Sequence, residues 1–257
     1  MNRSVLLALL SLPLVSAPAS GAGLGLRWDS CLGSGAGADI RTFACDSNAG
    51  SEQLVGSFVP RDDMHAVAGL EVALTFERAC MLPLTADVGV CPPAPVPEWW
   101  LLSDSGGCRR SALQVNFETD PANGSCRPWT THGLAGAIQG YRMDFFGPGT
   151  ASLYMVVGAL GGGTGAIARD VEHFAFTLTI SHENTVGPGA CSGCAESMAV
   201  EFSALKVVAP QVPGQPDRSI VITGGQAPFA NVALWQNSPA PVPVRVTTWG
   251  AIKSLYR

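Results

Sequence analysis

The stretch His173-Phe174-Ala175-Phe176-Thr177-Leu178-Thr179-Ile180 decides the fold class of this chain. Large apolar residues occupy every second position, and alanine or threonine fills the positions between them. Since side chains alternate between the two faces of an extended chain, the large apolar residues share one face. This pattern predicts a half-buried β-strand.

The residues that follow predict a long antiparallel hairpin over 173–208. A glycine-rich turn containing Cys191 and Cys194 leads into a second alternating segment. The apolar positions of that segment change phase at Ala204. A slip of one residue is what a β-bulge produces, so we expect a bulge there.

Further alternating segments extend the pattern along the chain, separated by clusters of Gly, Pro and Asn. In the clearest of them, Gly69–Glu77, we expect one face to be core and the other to face water. The others are Leu54–Val59, Leu113–Phe117, Ala137–Phe146 and Ser152–Leu160, with a short strand or turn over Glu98–Leu102. The spacing predicts a single antiparallel β-sandwich over residues 23–209, of the jelly-roll or immunoglobulin/cohesin-like type.

Residues 210–257 form a predicted C-terminal extension that begins with a proline-rich linker. Within it, Ser219–Thr223 and Asn231–Gln236 either pair as a small hairpin or add to the main sheet. The tail from Thr248 to Arg257 predicts a short helix that needs the domain for support.

The N-terminus predicts export. Residues 1–22 have the basic start, the short apolar run and the small residues of a secretory signal peptide, with cleavage after Ala19 or, preferably, Ala22. The apolar run is too short for a membrane anchor. The uncharged run Ala151–Ala168 is interrupted by glycines and predicts a strand and loop, so we expect no membrane span in the mature chain.

Eight cysteines, all beyond the signal peptide, fit an oxidising destination where disulfides persist. Their spacing favours pairs between near neighbours. The predicted pairs are Cys31 with Cys45, Cys80 with Cys91, Cys108 with Cys126, and Cys191 with Cys194.

The amino-acid composition and net charge indicate the kind of source genome and argue against one class of partner, nucleic acids. Thirteen arginines against two lysines, with abundant alanine and glycine, are typical of a GC-rich bacterial genome. The net charge is −5 and no basic stripe is present, so nucleic acid is not an expected partner.

Four segments of the sequence together resemble one group of proteins: Gly25-Leu26 with Trp28 and Cys31, Thr42–Asn48, Thr185–Cys194 and Thr248–Arg257. In these segments the chain resembles a group of uncharacterised exported bacterial proteins. The resemblance covers most of the mature chain, implies an exported β domain, and supplies no catalytic residues. Cys80 and Cys91 are a departure from the group's pattern.

No catalytic or cofactor motif is complete. Asp104-Ser105-Gly106 resembles the nucleophile segment of chymotrypsin-like proteases, but only His65 precedes it, outside that family's motif. Cys191 and Cys194 have the spacing of thiol oxidoreductases without the helix that activates such a pair, so a structural bridge is expected. We therefore predict no catalytic residue and no cofactor.

Two weaker binding candidates remain. Asp46, Asn48 and Glu52 place oxygen ligands at alternate positions, as in a calcium loop, although a plain hairpin turn is the more frequent structure. Trp99 and Trp100 beside Glu98 are the best candidates for a ligand surface, because exposed indoles stack on flat apolar faces such as those of sugars. The alternative is that both tryptophans pack in the core.

These observations predict a non-catalytic module that is secreted or held at the bacterial cell surface or periplasm. Its role is structural, or it recognises a polysaccharide or a surface protein. The first alternative is a secreted carbohydrate-active hydrolase on a lectin-like sandwich, which needs two carboxylates in a groove beside Trp99 or Trp100. The second is a thiol-redox protein using Cys191 and Cys194.

Overall fold

The computed structural model describes residues 22–79, 94–102, 107–119, 126–161, 165–210, 218–224 and 231–236. Predictions for other segments lie outside the described residues: the signal peptide, Cys80 and Cys91, the Asp104-Ser105-Gly106 segment, and the C-terminal helix.

About half of the described residues lie in β-strands, and two short 3-10 helices lie at Leu32–Ser34 and Glu98–Trp100. The strands are β1 Gly23–Trp28, β2 Ile40–Arg41, β3 Ser51–Val59, β4 Met64–Val67, β5 Gly69–Arg78, β6 Leu113–Asn116, β7 Leu134–Met143, β8 Thr150–Ala159, β9 Gly165–Ile167, β10 His173–Ser181, β11 Met198–Val208, β12 Ile220–Thr223 and β13 Val232–Trp235.

Two sheets pack face to face. Sheet I has the order β1-β3-β10-β6, and sheet II has the order β2-β13-β11-β5-β8-β7 with β12 also paired to β11. Pairing is antiparallel in both sheets except between β13 and β2. The predicted all-β antiparallel architecture is confirmed. No helix in the described ranges is long and apolar enough to cross a membrane, and most of the uncharged run forms β8 and β9.

The core lies between the sheets and contains the apolar faces that alternation predicted. Phe176 of β10 meets Phe202 of β11 edge to face, with ring centroids 5.1 Å apart. The expectation that the second face of β5 meets water is wrong at its centre. Ala73 packs with Ala204 against partly buried aromatic rings, and the buried Thr75 hydroxyl bonds that of Ser203 at 2.8 Å.

The predicted hairpin over residues 173–208 is wrong, because its two strands lie in different sheets. β10 pairs with β3 and β6, whereas β11 pairs with β5, β12 and β13. Residues 182–197 separate them, a longer connection than the about 2–5 residues of most hairpins. This crossover, residues 182–197, carries the chain from sheet I to sheet II. The predicted bulge is confirmed by a register shift between Phe202 and Ala204.

The two C-terminal strands add to the main sheet, which was one of the two predicted alternatives. β12 and β13 both pair with β11, and Trp235 at the end of β13 is fully buried in the core.

Candidate binding site

The structure buries the two tryptophans that the sequence offered as a ligand surface. Trp99 and Trp100 lie in a 3-10 turn, and both are 0 % exposed. Trp99 stacks on Trp235 at 5.0 Å, while Trp100 meets the same ring edge-on at 5.7 Å. The prediction that these indoles form a stacking surface is therefore wrong, and the alternative that both pack in the core is correct.

A buried cation holds this turn against the crossover. The guanidinium carbon (Cζ) of Arg109 lies 3.5 Å from the ring centroid of Trp99. Arg109 donates from Nη1 to the carbonyl of Trp99 at 2.7 Å, from Nε to that of Glu183 at 2.9 Å, and from Nη2 to that of Ser181. Burial lowers the pKa of Arg109 to about 10, with Glu183 opposing the shift, so the group stays charged at neutral pH.

Glu98, the third residue of the predicted ligand surface, has a different role. Its carboxylate accepts hydrogen bonds from the backbone N–H of Ser192 at 3.3 Å and from the Ser192 hydroxyl at 2.9 Å. Glu98 therefore ties the 3-10 turn to the crossover, and the only tryptophans beside it are buried. Both rings are inaccessible in the described part of the chain, so neither supplies the exposed aromatic wall that the hydrolase hypothesis placed beside a carboxylate pair.

Two of the three calcium candidates also hold the crossover. The amide oxygen of Asn48 accepts from the backbone N–H groups of Thr185 and Val186 at 2.8 and 2.9 Å. Glu52 forms an ion pair with Arg41 at 3.0 Å and lies within hydrogen-bond distance of His182 Nε2 at 3.1 Å, whereas Asp46 is exposed. Among the described residues, no cluster of His, Cys, Asp and Glu could hold a metal ion.

The disulfides join distant segments, so the predicted pairing of near neighbours is wrong for the six described cysteines. The bonds are Cys31–Cys126, Cys45–Cys194 and Cys108–Cys191, with sequence separations of 95, 149 and 83 residues. Cys191 and Cys194 thus bond to two different segments and do not form a dithiol pair. A thiol-redox role needs a bond between Cys191 and Cys194, so the structure does not support that hypothesis.

The surface feature that sequence reasoning missed is the outer strand of sheet II. β7, Leu134–Met143, pairs with β8 along one side, and no other strand within the described ranges pairs with its second side. Its central residues are exposed on both faces, and Ile138 is 71 % exposed. The available signal was composition, because apart from Ile138 the residues at 135–140 are small or polar, and neither face has the row of large apolar side chains of a core strand.

Tyr141 anchors this strand to the core. Its hydroxyl donates to the carbonyl of Trp100 at 2.6 Å, and its ring lies 5.5 Å from that of Phe76. Burial raises the pKa of Tyr141 well above its ordinary value, so the hydroxyl remains a donor at physiological pH. β7 is therefore held in place although most of its length is exposed.

β7 carries few of the features that usually protect an edge strand. Proteins blunt such edges with short strands, proline, lysine or bulges. β7 is ten residues long, lacks proline and lysine, and has one charged residue, Arg142. Its bulge lies at the start, between Leu134 and Gly136, and leaves the rest of the register regular. The backbone edge from Gly136 to Met143 can accept another strand.

The described residues form a disulfide-linked β-sandwich in which β7 is a long, exposed edge strand of sheet II. No protein-family model and no curated protein matches the chain. Among solved structures, a cohesin module from a family 33 glycoside hydrolase of Clostridium perfringens is similar, with 8 % identity and a TM-score of 0.31. The match covers 79 % of this chain and 95 % of that chain. At this TM-score it carries no argument, and the resemblance to exported bacterial proteins stays a prediction.

Proposed function

We propose that this protein is an exported, non-catalytic β-sandwich module that binds an extended segment of another protein by strand addition to β7. The observation that carries the proposal is the second edge of β7, to which no strand in the described part of the chain is paired, with Ile138 71 % exposed at its centre. An added strand gains main-chain hydrogen bonds along the edge, while pockets beside it select side chains.

The disulfides support a role outside the cytoplasm. Three bonds that join distant parts of the chain persist in an oxidising compartment and are rare in the cytosol. The proposed partner is therefore another secreted or surface protein. The proposal also includes the finer fold type, which is a sandwich of the immunoglobulin-like or jelly-roll kind.

A protein partner is favoured over a polysaccharide because the described tryptophans offer no exposed ring. Sugar recognition on a sandwich commonly uses the flat face of an accessible aromatic side chain. The described tryptophans are all at most 1 % exposed: Trp28, Trp99, Trp100, Trp129 and Trp235.

The outer face of sheet II gives an added strand an apolar contact. Ile138 lies opposite Val156 of β8, which lies opposite Glu71 of β5. Glu71 in turn pairs with Lys206 at 3.5 Å, so the charges of this row neutralise one another. A partner side chain opposite Ile138 therefore packs on an apolar residue in a row that has no net charge.

The test is selection of peptides from a displayed random library on the immobilised protein, followed by amide hydrogen exchange with and without the selected peptides. We expect the peptides to protect amides within 134–143. Ile138→Lys places a charge at the centre of the edge and should weaken peptide binding at least about tenfold, a change of 1.4 kcal/mol.

Val221→Lys is the matched control. Val221 is 40 % exposed on β12 and lies on the same outer face, opposite Lys206, but far along the sheet from β7. It should leave peptide binding unchanged. Protection outside β7, or equal effects of the two lysines, would reject strand addition, and a concentration-dependent dimer lost in Ile138→Lys would identify a second copy of the chain as the occupant instead.

A further inference from the structure

The outer face of sheet II contains a group of small and polar residues that is buried although it points away from the core. β5 and β11 are neighbours in this sheet, and their inward side chains, such as Leu74 and Phe202, belong to the core. We call the buried residues of the opposite face the outer patch. They are at most 6 % exposed: Ala73, Thr75, Ala199, Glu201, Ser203 and Ala204.

The described neighbours cover only part of the outer patch. Small side chains on the outer face of an antiparallel sheet meet water unless another part of the molecule lies over them. Within the described ranges, the rings of Phe146 and Tyr154 pack against the pair Ala73 and Ala204. The other patch residues on β11 are equally buried, although the strands paired with β11 lie in the plane of the sheet and not over it. The β11 side of the patch therefore has a further cover.

The C-terminal segment, residues 237–257, begins next to this side of the patch. β13 pairs with β11, and Trp235 at the end of β13 lies opposite Met198, one residue from Ala199 of the patch. The segment follows β13 after a single residue. At about 3.3 Å per extended residue, it can span far more than the length of β11 between Ala199 and Ala204.

The charge of the C-terminal segment is complementary to the outer face. The segment contains Arg245, Lys253 and Arg257 and no acidic residue. The face presents Glu201 within the patch and Glu77, which lies opposite Ala199, beside it. A basic segment is therefore favoured over an acidic one on this face.

The side-chain sizes are complementary as well. Alanine, serine and threonine leave space above a sheet for large side chains from a covering element. The segment supplies such side chains within its last nine residues, at Trp249, Ile252, Leu255 and Tyr256. These are also the residues of the predicted C-terminal helix, which is too short to be stable without support from the domain.

We infer that the outer patch is the docking site of the chain's own C-terminal segment. Its apolar side chains pack on the small residues of the patch, and its basic side chains lie beside Glu77 and Glu201. The inference does not rest on strand addition, because β7 lies outside the patch. Gly140 and Arg142, which share the outer face with the patch, are exposed.

The test is photocrosslinking in the full chain with p-benzoyl-L-phenylalanine in place of Tyr154, a partly exposed residue opposite Ala73 of the patch. Peptide mass spectrometry then locates the adducts. We expect the label to react with residues 237–257 of the same chain. Arg245→Gln combined with Lys253→Gln and Arg257→Gln should lower the yield of this adduct at least about threefold, because the attraction to the acidic face is lost.

The same label in place of Ile138 is the matched control. Ile138 is on the same face but 71 % exposed, so nothing lies over it, and the label there should form no adduct with the segment. Amide hydrogen exchange of the unlabelled full chain is a second measurement that needs no substitution. We expect amides within 245–257 to exchange at least about tenfold more slowly than in a synthetic peptide of the same residues.

The remaining outcomes decide against the inference. Exchange at the rate of the free peptide throughout 237–257, or equal adducts from positions 138 and 154, would overturn it. Adducts that join two chains would assign the patch to a second copy of the protein, and adducts only with other parts of the same chain would assign it to those parts. Peptide binding at β7 is tested separately by Ile138→Lys, so strand addition can stand or fail independently.

Discussion

Arg109 is the residue on which the arrangement of the crossover most depends. It is fully buried, lies over Trp99, and donates to three carbonyls, those of Trp99, Ser181 and Glu183. The planar guanidinium suits this role because its donors are fixed in one plane, which the single ammonium of lysine cannot reproduce. One side chain thus joins the end of β10, the crossover and the tryptophan turn.

Arg109→Met should lower the free energy of unfolding by about 3–5 kcal/mol, because it leaves one buried and two partly buried carbonyls without their charged donor. Arg109→Lys should recover part of the loss. Urea unfolding monitored by tryptophan fluorescence measures both. The adjacent Arg110 is exposed, so Arg110→Met is the matched control and should change stability by less than about 0.5 kcal/mol. Equal losses at positions 109 and 110 would contradict the role of Arg109.

At the scale of elements, the crossover is fastened by contacts from segments far away in sequence. Asn48 holds the backbone at Thr185 and Val186, Glu98 holds Ser192, and two disulfides leave from Cys191 and Cys194. These attachments explain why a glycine-rich connection between two sheets keeps a defined path.

The disulfide connectivity has a measurable consequence for stability. Closing the 83-residue separation of Cys108 and Cys191 restricts the unfolded chain by about 4–5 kcal/mol in the loop-entropy description, against about 2 kcal/mol for a local bond between Cys191 and Cys194. We expect Cys108→Ala with Cys191→Ala to lower stability by about 4 kcal/mol in urea unfolding.

Peptide mapping of the unreduced protein provides the control for that prediction. It should recover Cys31 linked to Cys126, Cys45 to Cys194, and Cys108 to Cys191. Recovery of a bond between Cys191 and Cys194, or between Cys31 and Cys45, would show that the described connectivity is wrong.

At the scale of the whole molecule, the core is completed by strands that lie beyond the predicted sandwich boundary at residue 209. Trp235 on β13 contacts Trp28, Trp99 and Trp100, which come from the first strand and from the turn before the crossover. The indole N–H of Trp235 donates to the carbonyl of Cys194 at 2.7 Å. The aromatic centre therefore needs residues from both ends of the described chain.

A chain that ends at Ala209 should lose cooperative unfolding, because it lacks β12, β13 and the ring that covers three other tryptophans. Near-ultraviolet circular dichroism during thermal unfolding measures this loss of fixed aromatic packing. In the full chain, Trp235→Ala should lower the free energy of unfolding by about 3–5 kcal/mol. A sharp thermal transition in the chain ending at residue 209 would instead confirm the predicted boundary.

The sequence by itself determined the properties that depend on neighbouring residues. The alternation in β5 and β10 predicted those strands, and the phase change at Ala204 predicted the bulge, because both follow from the two-residue repeat of an extended chain. Tertiary structure alone decided which strands pair, which cysteines bond, that Trp99 and Trp100 are buried, and that β7 is left open. Those outcomes depend on how two sheets with similar apolar faces pack together, and residues far apart in the chain, such as Cys45 and Cys194 or Trp28 and Trp235, meet only after that packing.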